Sequence, residues 1–92
     1  MLLDGRNPSV EGDKKNGYYL GPTIIDQVTA DMRISQEEVF GPVISIIRAK
    51  DLDQAIDIEN ANPYGNAAAV FTQRGGQARQ VMERASAGMI GV

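Results

Sequence analysis

Two adjacent carboxylates, Glu37 and Glu38, are the side chains of this sequence best suited to chemistry. Like charges held close together raise one of the two pKa values, so such a pair could act as a general acid and base. Successive residues on a helical turn point about 100° apart, however, which disfavours a shared proton. Ser35 and Glu38 also have the spacing of a capping box at a helix start. Spacing alone therefore favours a capping role for Glu38, a surface charge at Glu37 and a core-anchoring ring at Phe40.

A second candidate is the glycine pair Gly75-Gly76, which lies between a predicted strand and a predicted helix. Backbone N–H groups at such a position can bind a phosphate. The stretch lacks the G-x-G-x-x-G spacing and any Gly-Lys-Ser/Thr sequence, so an ordinary strand-to-helix turn is favoured. Arg79 with Glu83, and Gln80 with Arg84, stand four residues apart on that helix, which is typical of a solvated surface.

Composition excludes most familiar catalytic groups, because the 92 residues contain no cysteine, no histidine and no tryptophan. We expect no catalytic residue and no metal site within this chain. The net charge is −3 and the one basic cluster is Lys14-Lys15, so no nucleic-acid partner is expected. No apolar run approaches the roughly 20 residues that span a bilayer. A chain without cysteine or a secretory pattern at its start is predicted to be cytoplasmic.

Turn residues and apolar patterns predict the order of the elements. Asp51 is predicted to cap a helix that ends at Asn62-Pro63, and Gly88 to close the second helix as a left-handed cap. The predicted elements are an N-terminal hairpin or loop (1–21), an extended segment (22–28), a polar connection (31–35), a strand covered on both faces (43–47), a helix (51–62), a buried strand (66–72), a helix (75–88) and a strand (89–92).

The order strand, helix, strand, helix, strand over residues 43–92 predicts an α/β fold with βαβ units and a partial parallel sheet. Parallel sheets need helices on both faces. Two short helices are too few to cover three buried strands, so we expect the chain to be a segment of a larger α/β domain.

Four stretches resemble one known family in order and spacing: "GYYLGPTIID", "EEVFGPV", "NPYGNAAAVFT" and "AGMIGV". They are similar to the C-terminal part of the catalytic domain of NAD(P)-dependent aldehyde dehydrogenases, over essentially the whole chain. "LLDGRNPSVEG" and Asn-Pro-Tyr-Gly-Asn look most like the CoA-acylating methylmalonate-semialdehyde dehydrogenases, a subfamily that handles methylmalonate and malonate semialdehydes.

The resemblance implies an activity for the parent enzyme and a role for two residues. A cysteine thiolate would attack the aldehyde, hydride would pass to NAD, and coenzyme A would take the acyl group. By the same resemblance Glu38 binds the nicotinamide ribose and Phe40 packs beside the nicotinamide. The nucleophile would lie upstream, so the chain alone is expected to be inactive. No role in gripping a substrate carboxylate is transferred to Arg6, Arg33 or Arg48.

Two alternatives to a CoA-acylating enzyme stay open. In the first, water replaces coenzyme A, which makes the parent a non-acylating aldehyde dehydrogenase. In the second, the chain is a non-catalytic module that self-associates by pairing its exposed sheet edges. For the enzyme reading we expect a small aldehyde as substrate and a homo-oligomer as the assembled form.

Overall fold

The computed structural model describes residues 1–12 and 16–92. The predicted basic pair Lys14-Lys15 lies outside the described residues. The chain forms two compact units, Met1–Ile47 and Arg48–Val92. The first unit contains β1 (Thr23–Ile25), α1 (Arg33–Gln36) and β2 (Val43–Ser45), and the second contains α2 (Leu52–Ala61), β3 (Ala67–Ala69), α3 (Gly75–Arg84) and β4 (Met89–Gly91).

In the first unit β1 and β2 form a parallel pair in which Ile24 lies opposite Ile44. Parallel strands need a crossover connection, and α1 lies within it. The N-terminal segment runs back along β1, where Leu3 bridges Ile24 in the antiparallel sense. Two hydrogen bonds join Leu3 and Ile24: Ile24 N donates to Leu3 O at 3.0 Å and Leu3 N to Ile24 O at 3.2 Å. The N-terminal segment therefore lies against the edge of β1.

The second unit is a βαβ arrangement in which β3 and β4 pair in parallel, with Ala68 opposite Ile90. α3 forms the crossover, and the apolar stripe Ala78, Val81, Met82 and Ala85 packs inward at Ala78 and Val81, which are 7% and 9% exposed. Ile56 of α2 is 4% exposed and completes this small core. Met82, placed on the same stripe by its spacing, is 51% exposed.

The predicted cap of α2 is confirmed. Asp51 Oδ1 accepts a hydrogen bond from Gln54 N at 2.8 Å, and the Gln54 side chain accepts one from Lys50 N at 2.7 Å. One free N–H group of the first helical turn, that of Gln54, is thereby satisfied, together with the N–H of Lys50 just before the cap. The helix ends at Ala61, and Asn62 is its extended C-cap before Pro63, as the sequence predicts.

The predicted cap of α3 is wrong. The helix ends at Arg84, Ala85 is its extended C-cap, and Gly88 does not adopt a left-handed conformation. Asn60 of α2 takes the place of that cap, since its Nδ2 donates to Arg84 O at 2.9 Å and its Oδ1 accepts from Ser86 N at 2.8 Å. A polar side chain from the neighbouring helix satisfies the groups that a glycine turn would otherwise satisfy.

The predicted α/β class with parallel strands and βαβ connections is observed, but the strands 43–92 do not make one sheet. β2 pairs with β1 and β3 pairs with β4, which gives two sheets of two strands each. The predicted burial of the strands also differs, because Ile44 is 60% exposed and β3 alternates between exposed and half-buried residues. Strand composition indicated the extended conformation correctly but not which strands pair or what covers them.

One charged residue of the second unit is expected to lower its stability. Glu59 of α2 lies on the same helix face as Leu52 and Ile56, and its Oε2 is buried with no hydrogen-bond partner among the described residues. The residue borders a cavity of about 180 Å³ whose other walls are mostly alanine, leucine, isoleucine and valine side chains. A buried acceptor without a partner costs roughly 1–3 kcal/mol.

We therefore expect Glu59→Leu to raise the free energy of unfolding by about 1–2 kcal/mol. Urea unfolding of the 92-residue chain, followed by circular dichroism, measures the change. Glu83→Leu is the matched control, because it removes the same charge from an exposed helix position. An equal gain in both variants, or a loss in Glu59→Leu alone, would contradict the explanation from the buried oxygen.

Candidate functional site

The residues predicted to contact a ligand lie in the loop between α1 and β2. Glu38 and Phe40 are both exposed, and Gly41-Pro42 follows them. The end of this loop is held to the sheet, since Thr23 N donates to Pro42 O at 2.8 Å and Val43 N to Gly41 O at 2.8 Å. The loop thus presents its carboxylate and ring to solvent immediately before a fixed strand.

The capping box predicted for Ser35 and Glu38 is wrong. Ser35 lies inside α1 and Glu38 lies beyond its end, whereas the N-cap is Met32, which makes no side-chain cap hydrogen bond. A single helical turn has no apolar periodicity to reveal it, and for that reason the sequence indicated only a polar connection at residues 31–35. Because Glu38 does not cap the helix, its carboxylate is available to another partner.

The two adjacent carboxylates have different surroundings. Arg33 Nε donates to Glu37 Oε1 at 2.9 Å and Arg33 Nη2 donates to Glu37 Oε2 at 3.1 Å. The hydrogen bonds and the positive charge of Arg33 lower the pKa of Glu37 below its usual value. No hydrogen bond or ion pair joins the Glu38 carboxylate to another residue within the ranges 1–12 and 16–92. Among the described contacts, Glu37 would have to give up Arg33 to bind a ligand, whereas Glu38 could accept hydrogen bonds without giving up a partner.

Phe40 is not a core anchor within its unit. Its ring is 94% exposed, whereas the one buried hydrophobic residue described in that unit is Val28, at 3%. A fully exposed phenylalanine beside a free carboxylate combines an apolar face with an acceptor for hydroxyl groups. That pair suits a ligand with an aromatic ring and neighbouring hydroxyls.

Two further arginines form ion pairs away from this loop. Arg6 binds Asp4, with Nη2 at 2.6 Å from Oδ2, and these hydrogen bonds lower the pKa of Asp4 to about 2. Arg84 reaches from α3 to Asp53 of α2, with Nη1 at 2.6 Å from Oδ1, a contact that the predicted spacing with Gln80 did not reveal. Residues 31 positions apart can only be paired once the helices are packed.

The glycine pair Gly75-Gly76 forms the first two residues of α3, directly after the strand-to-helix turn that ends at the N-cap Arg74. Arg74 N donates to Thr72 Oγ1 at 3.1 Å, and Gln77 N donates to Arg74 O at 3.0 Å. The Thr72 hydroxyl also contacts the Gln77 side chain at 2.8 Å. Part of the N–H set that could bind a phosphate is therefore used inside the turn, in keeping with the simpler interpretation.

Similar proteins are found over the full length of the chain. A protein of Drosophila pseudoobscura pseudoobscura assigned as an acylating, mitochondrial methylmalonate-semialdehyde/malonate-semialdehyde dehydrogenase is 52% identical over 92 residues, which are 100% of this chain and 18% of the relative. Malonate-semialdehyde dehydrogenase 2 of Geobacillus kaustophilus is 46% identical over 92 residues, which are 100% of this chain and 19% of the relative.

Solved structures give the same result. A protein of Sinorhizobium meliloti 1021 assigned as a methylmalonate-semialdehyde dehydrogenase, crystallised with NAD, superposes with a TM-score of 0.93 at 38% identity, over 99% of this chain and 18% of the other. The methylmalonate-semialdehyde dehydrogenase of Oceanimonas doudoroffii gives a TM-score of 0.92 at 40% identity, over 98% of this chain and 18% of the other.

The chain spans about a fifth of the length of these relatives. Within the described residues, no helix has the length and apolar character needed to cross a bilayer. The fly relative is named as mitochondrial, so the cytoplasmic location stays a prediction. The sequence model of the aldehyde dehydrogenase family matches residues 1–92. The predicted resemblance is thereby confirmed, and the chain belongs to the aldehyde dehydrogenase family.

Proposed function

We propose that Glu38 and Phe40 form one edge of the nicotinamide site in an NAD-dependent dehydrogenase that oxidises malonate or methylmalonate semialdehyde to an acyl-CoA. The observation that carries the proposal is the exposed Glu38 carboxylate, which has no partner among the described residues and lies two residues before the exposed ring of Phe40. The names of the relatives support the substrate class, and a solved relative that contains NAD supports the cofactor.

Glu38 fits a ribose because of the geometry of its acceptors. An ionised carboxylate has two oxygens, which can accept hydrogen bonds from the two adjacent hydroxyls of one ribose. A hydrogen bond to a charged group contributes about 1.5–3 kcal/mol. The role proposed for Glu38 is therefore to hold the nicotinamide ribose in one orientation.

Phe40 fits the base attached to that ribose. A flat apolar ring at the same loop can pack beside the nicotinamide and limit its rotation. NAD supplies the hydride acceptor when bound. Hydride transfer depends steeply on the alignment of donor and acceptor, so a ring that restricts the nicotinamide contributes to rate through orientation.

The thiol chemistry is assigned to residues outside these 92, which contain no cysteine. In the proposed enzyme a cysteine thiolate outside these residues would attack the aldehyde, a hydride would pass from the adduct to NAD to leave a thioester, and coenzyme A would then take the acyl group and release the thiolate. Loss of carbon dioxide accompanies the acyl transfer when the substrate carries a β-carboxylate. The described segment contributes orientation of the cofactor, and we keep the prediction that the chain alone has no turnover.

The proposal is tested by product analysis on a family-length enzyme that carries this segment. Malonate semialdehyde and NAD are supplied with and without coenzyme A, and both NADH and thioester are measured. NADH with a thioester product supports the proposal. NADH with a free acid, independent of coenzyme A, identifies the non-acylating alternative, and the absence of NADH formation contradicts the enzyme reading.

Self-association remains the second predicted function. Residues 2–3 cover the outer edge of β1 at Ile24, and no further strand of the described chain pairs with β3 or β4. An uncovered strand edge can pair with another chain. Light scattering of the 92-residue chain distinguishes a monomer from an oligomer, and a well-folded oligomer without NAD binding would favour the module.

Phe40 gives a prediction that separates function from folding. Because the ring is 94% exposed in its unit, Phe40→Ala should change the free energy of unfolding of the 92-residue chain by less than about 0.5 kcal/mol. In the family-length enzyme the same change should lower the rate of hydride transfer about tenfold, because the nicotinamide loses its lateral contact.

Stopped-flow NADH formation measures the rate, and Val39→Ala is the matched control, since Val39 is a neighbouring exposed apolar residue, 48% accessible. An unchanged rate in Phe40→Ala, or an equal loss in both variants, would remove Phe40 from the site.

A further inference from the structure

A further inference rests on the two-pronged ion pair that spans α1, between Arg33 at its first position and Glu37 at its C-cap. Arg33 donates to both carboxylate oxygens of Glu37, at 2.9 Å and 3.1 Å. Glu37 N donates to Arg33 O at 2.9 Å, so backbone and side chain are both tied to the same residue. Glu38 follows directly in the chain, and its carboxylate has no such partner among the described residues.

The ion pair between Arg33 and Glu37 matters for a dinucleotide because it changes the negative charge near the proposed ribose contact. Two adjacent glutamates place two negative charges beside the proposed ribose contact, and the diphosphate of NAD is itself negative. The low pKa of Glu37, caused by its hydrogen bonds to Arg33 and by the charge of Arg33, keeps this carboxylate ionised. Its charge is therefore compensated by the guanidinium and not by a proton.

Exposure shows that the pair has little to do with holding the fold. The side chains of Arg33 and Glu37 are 86% and 57% exposed. Exposed ion pairs add little to stability because water and salt screen them. Removing Arg33 should therefore leave the unit folded, and any large effect has to be sought in ligand binding.

We propose that Arg33 is a positioning residue for the cofactor contact: by holding Glu37 in a two-pronged ion pair, it leaves Glu38 as the one carboxylate that meets the ribose and removes an uncompensated negative charge beside it. The inference rests on the proposed function of Glu38. It assigns Arg33 a role that its four-residue spacing from Glu37 alone does not establish.

The test is the affinity for NAD of a family-length enzyme that carries this segment, measured by fluorescence titration at 20 mM and at 1 M NaCl. The variants are Arg33→Ala, Arg33→Lys, Glu37→Gln and the double variant Arg33→Ala with Glu37→Gln. Arg33→Ala should weaken NAD binding about three- to tenfold at low salt, since one unpaired charge repels the dinucleotide. At 1 M salt the Debye length falls to about 3 Å, and the loss should shrink below about twofold.

The double variant separates charge compensation from a merely structural role. With Glu37 neutral, Arg33 has nothing to compensate, so affinity should return to within about twofold of the wild type. Arg33→Lys keeps the charge and should retain most of the affinity, although it loses the two-pronged geometry.

Three results would overturn the inference: no loss in Arg33→Ala, a loss that salt does not reduce, or a double variant as weak as Arg33→Ala. Glu38→Gln, measured beside them, separates this failure from that of the proposed function. If Glu38→Gln weakens binding and Arg33→Ala does not, only the role of Arg33 is wrong. If Glu38→Gln leaves NAD affinity unchanged, the ribose contact itself is wrong, and the inference falls with it.

Discussion

In a family-length enzyme that carries this segment, Glu38→Gln is expected to weaken NAD binding about 10- to 100-fold, the equivalent of one or more charge-assisted hydrogen bonds. The amide keeps the shape of the side chain but loses the charge, and one of its two terminal atoms becomes a donor. Hydride transfer should slow as well, because a loosely held ribose lets the nicotinamide leave its productive orientation.

Glu37→Gln is the matched control. It removes the same charge from the preceding residue, whose carboxylate is already paired with Arg33. It should change NAD affinity by less than about threefold, since it removes a charge that is already compensated. The reactivity of the catalytic thiol towards an alkylating agent should be unchanged in both variants. Equal losses in both variants would show that general charge near the loop matters and that Glu38 has no specific contact.

Gly5→Ala is the second change with a large expected effect, and it acts on the fold. A Cβ at Gly5 would lie 2.0 Å from the carbonyl oxygen of Gly21 and 2.7 Å from that of Pro22. Both are backbone atoms, so no side chain can turn away to make room. Gly21 N also donates to Gly5 O at 2.8 Å, and Gly5 N donates to the Thr23 hydroxyl at 3.1 Å. The glycine is therefore required where the N-terminal segment crosses the entrance to β1.

We expect Gly5→Ala to lower the free energy of unfolding of the first unit by about 3 kcal/mol or more, enough to unfold a small unit. Hydrogen exchange of the 92-residue chain, read separately at amides of β1 and of α3, measures the two units individually. Gly41→Ala is the control, since nothing lies within 4 Å of the position of its Cβ. Retained protection of the β1 amides in Gly5→Ala would contradict the close backbone contact.

Local chemistry made the helices α2 and α3 predictable from sequence. The α2 cap depends on Asp51 and Gln54, three positions apart, and its end on Asn62 before a proline, so each signal lies within one turn of what it determines. α1 has four residues, too few for any period, and it was missed. The end of α3 was misplaced because its cap comes from Asn60, 26 positions before Ser86. Contacts of that range depend on packing and leave no local pattern.

The candidate site was only partly predictable for the same reason. Spacing alone favoured a capping box for Glu38, and the resemblance to a known family indicated a ribose contact instead. The structure excludes the capping box, because Ser35 lies within α1. Arg33 and Glu37 do stand four apart, a spacing that could have revealed their ion pair. That signal has meaning only on a helix, and α1 was not recognised. The pairing of Glu37 with Arg33, which distinguishes Glu37 from Glu38, is therefore seen in the structure and was not predicted from the sequence.

The most direct test of the ribose contact is a cycle between Glu38 and the ribose hydroxyls. The affinities of the wild type and of Glu38→Gln are measured for NAD and for an analogue that lacks one hydroxyl of the nicotinamide ribose. If Glu38 binds that ribose, the analogue should bind the wild type about tenfold more weakly than NAD does, while Glu38→Gln should bind the two almost equally. A tenfold difference that persists in Glu38→Gln would contradict the contact.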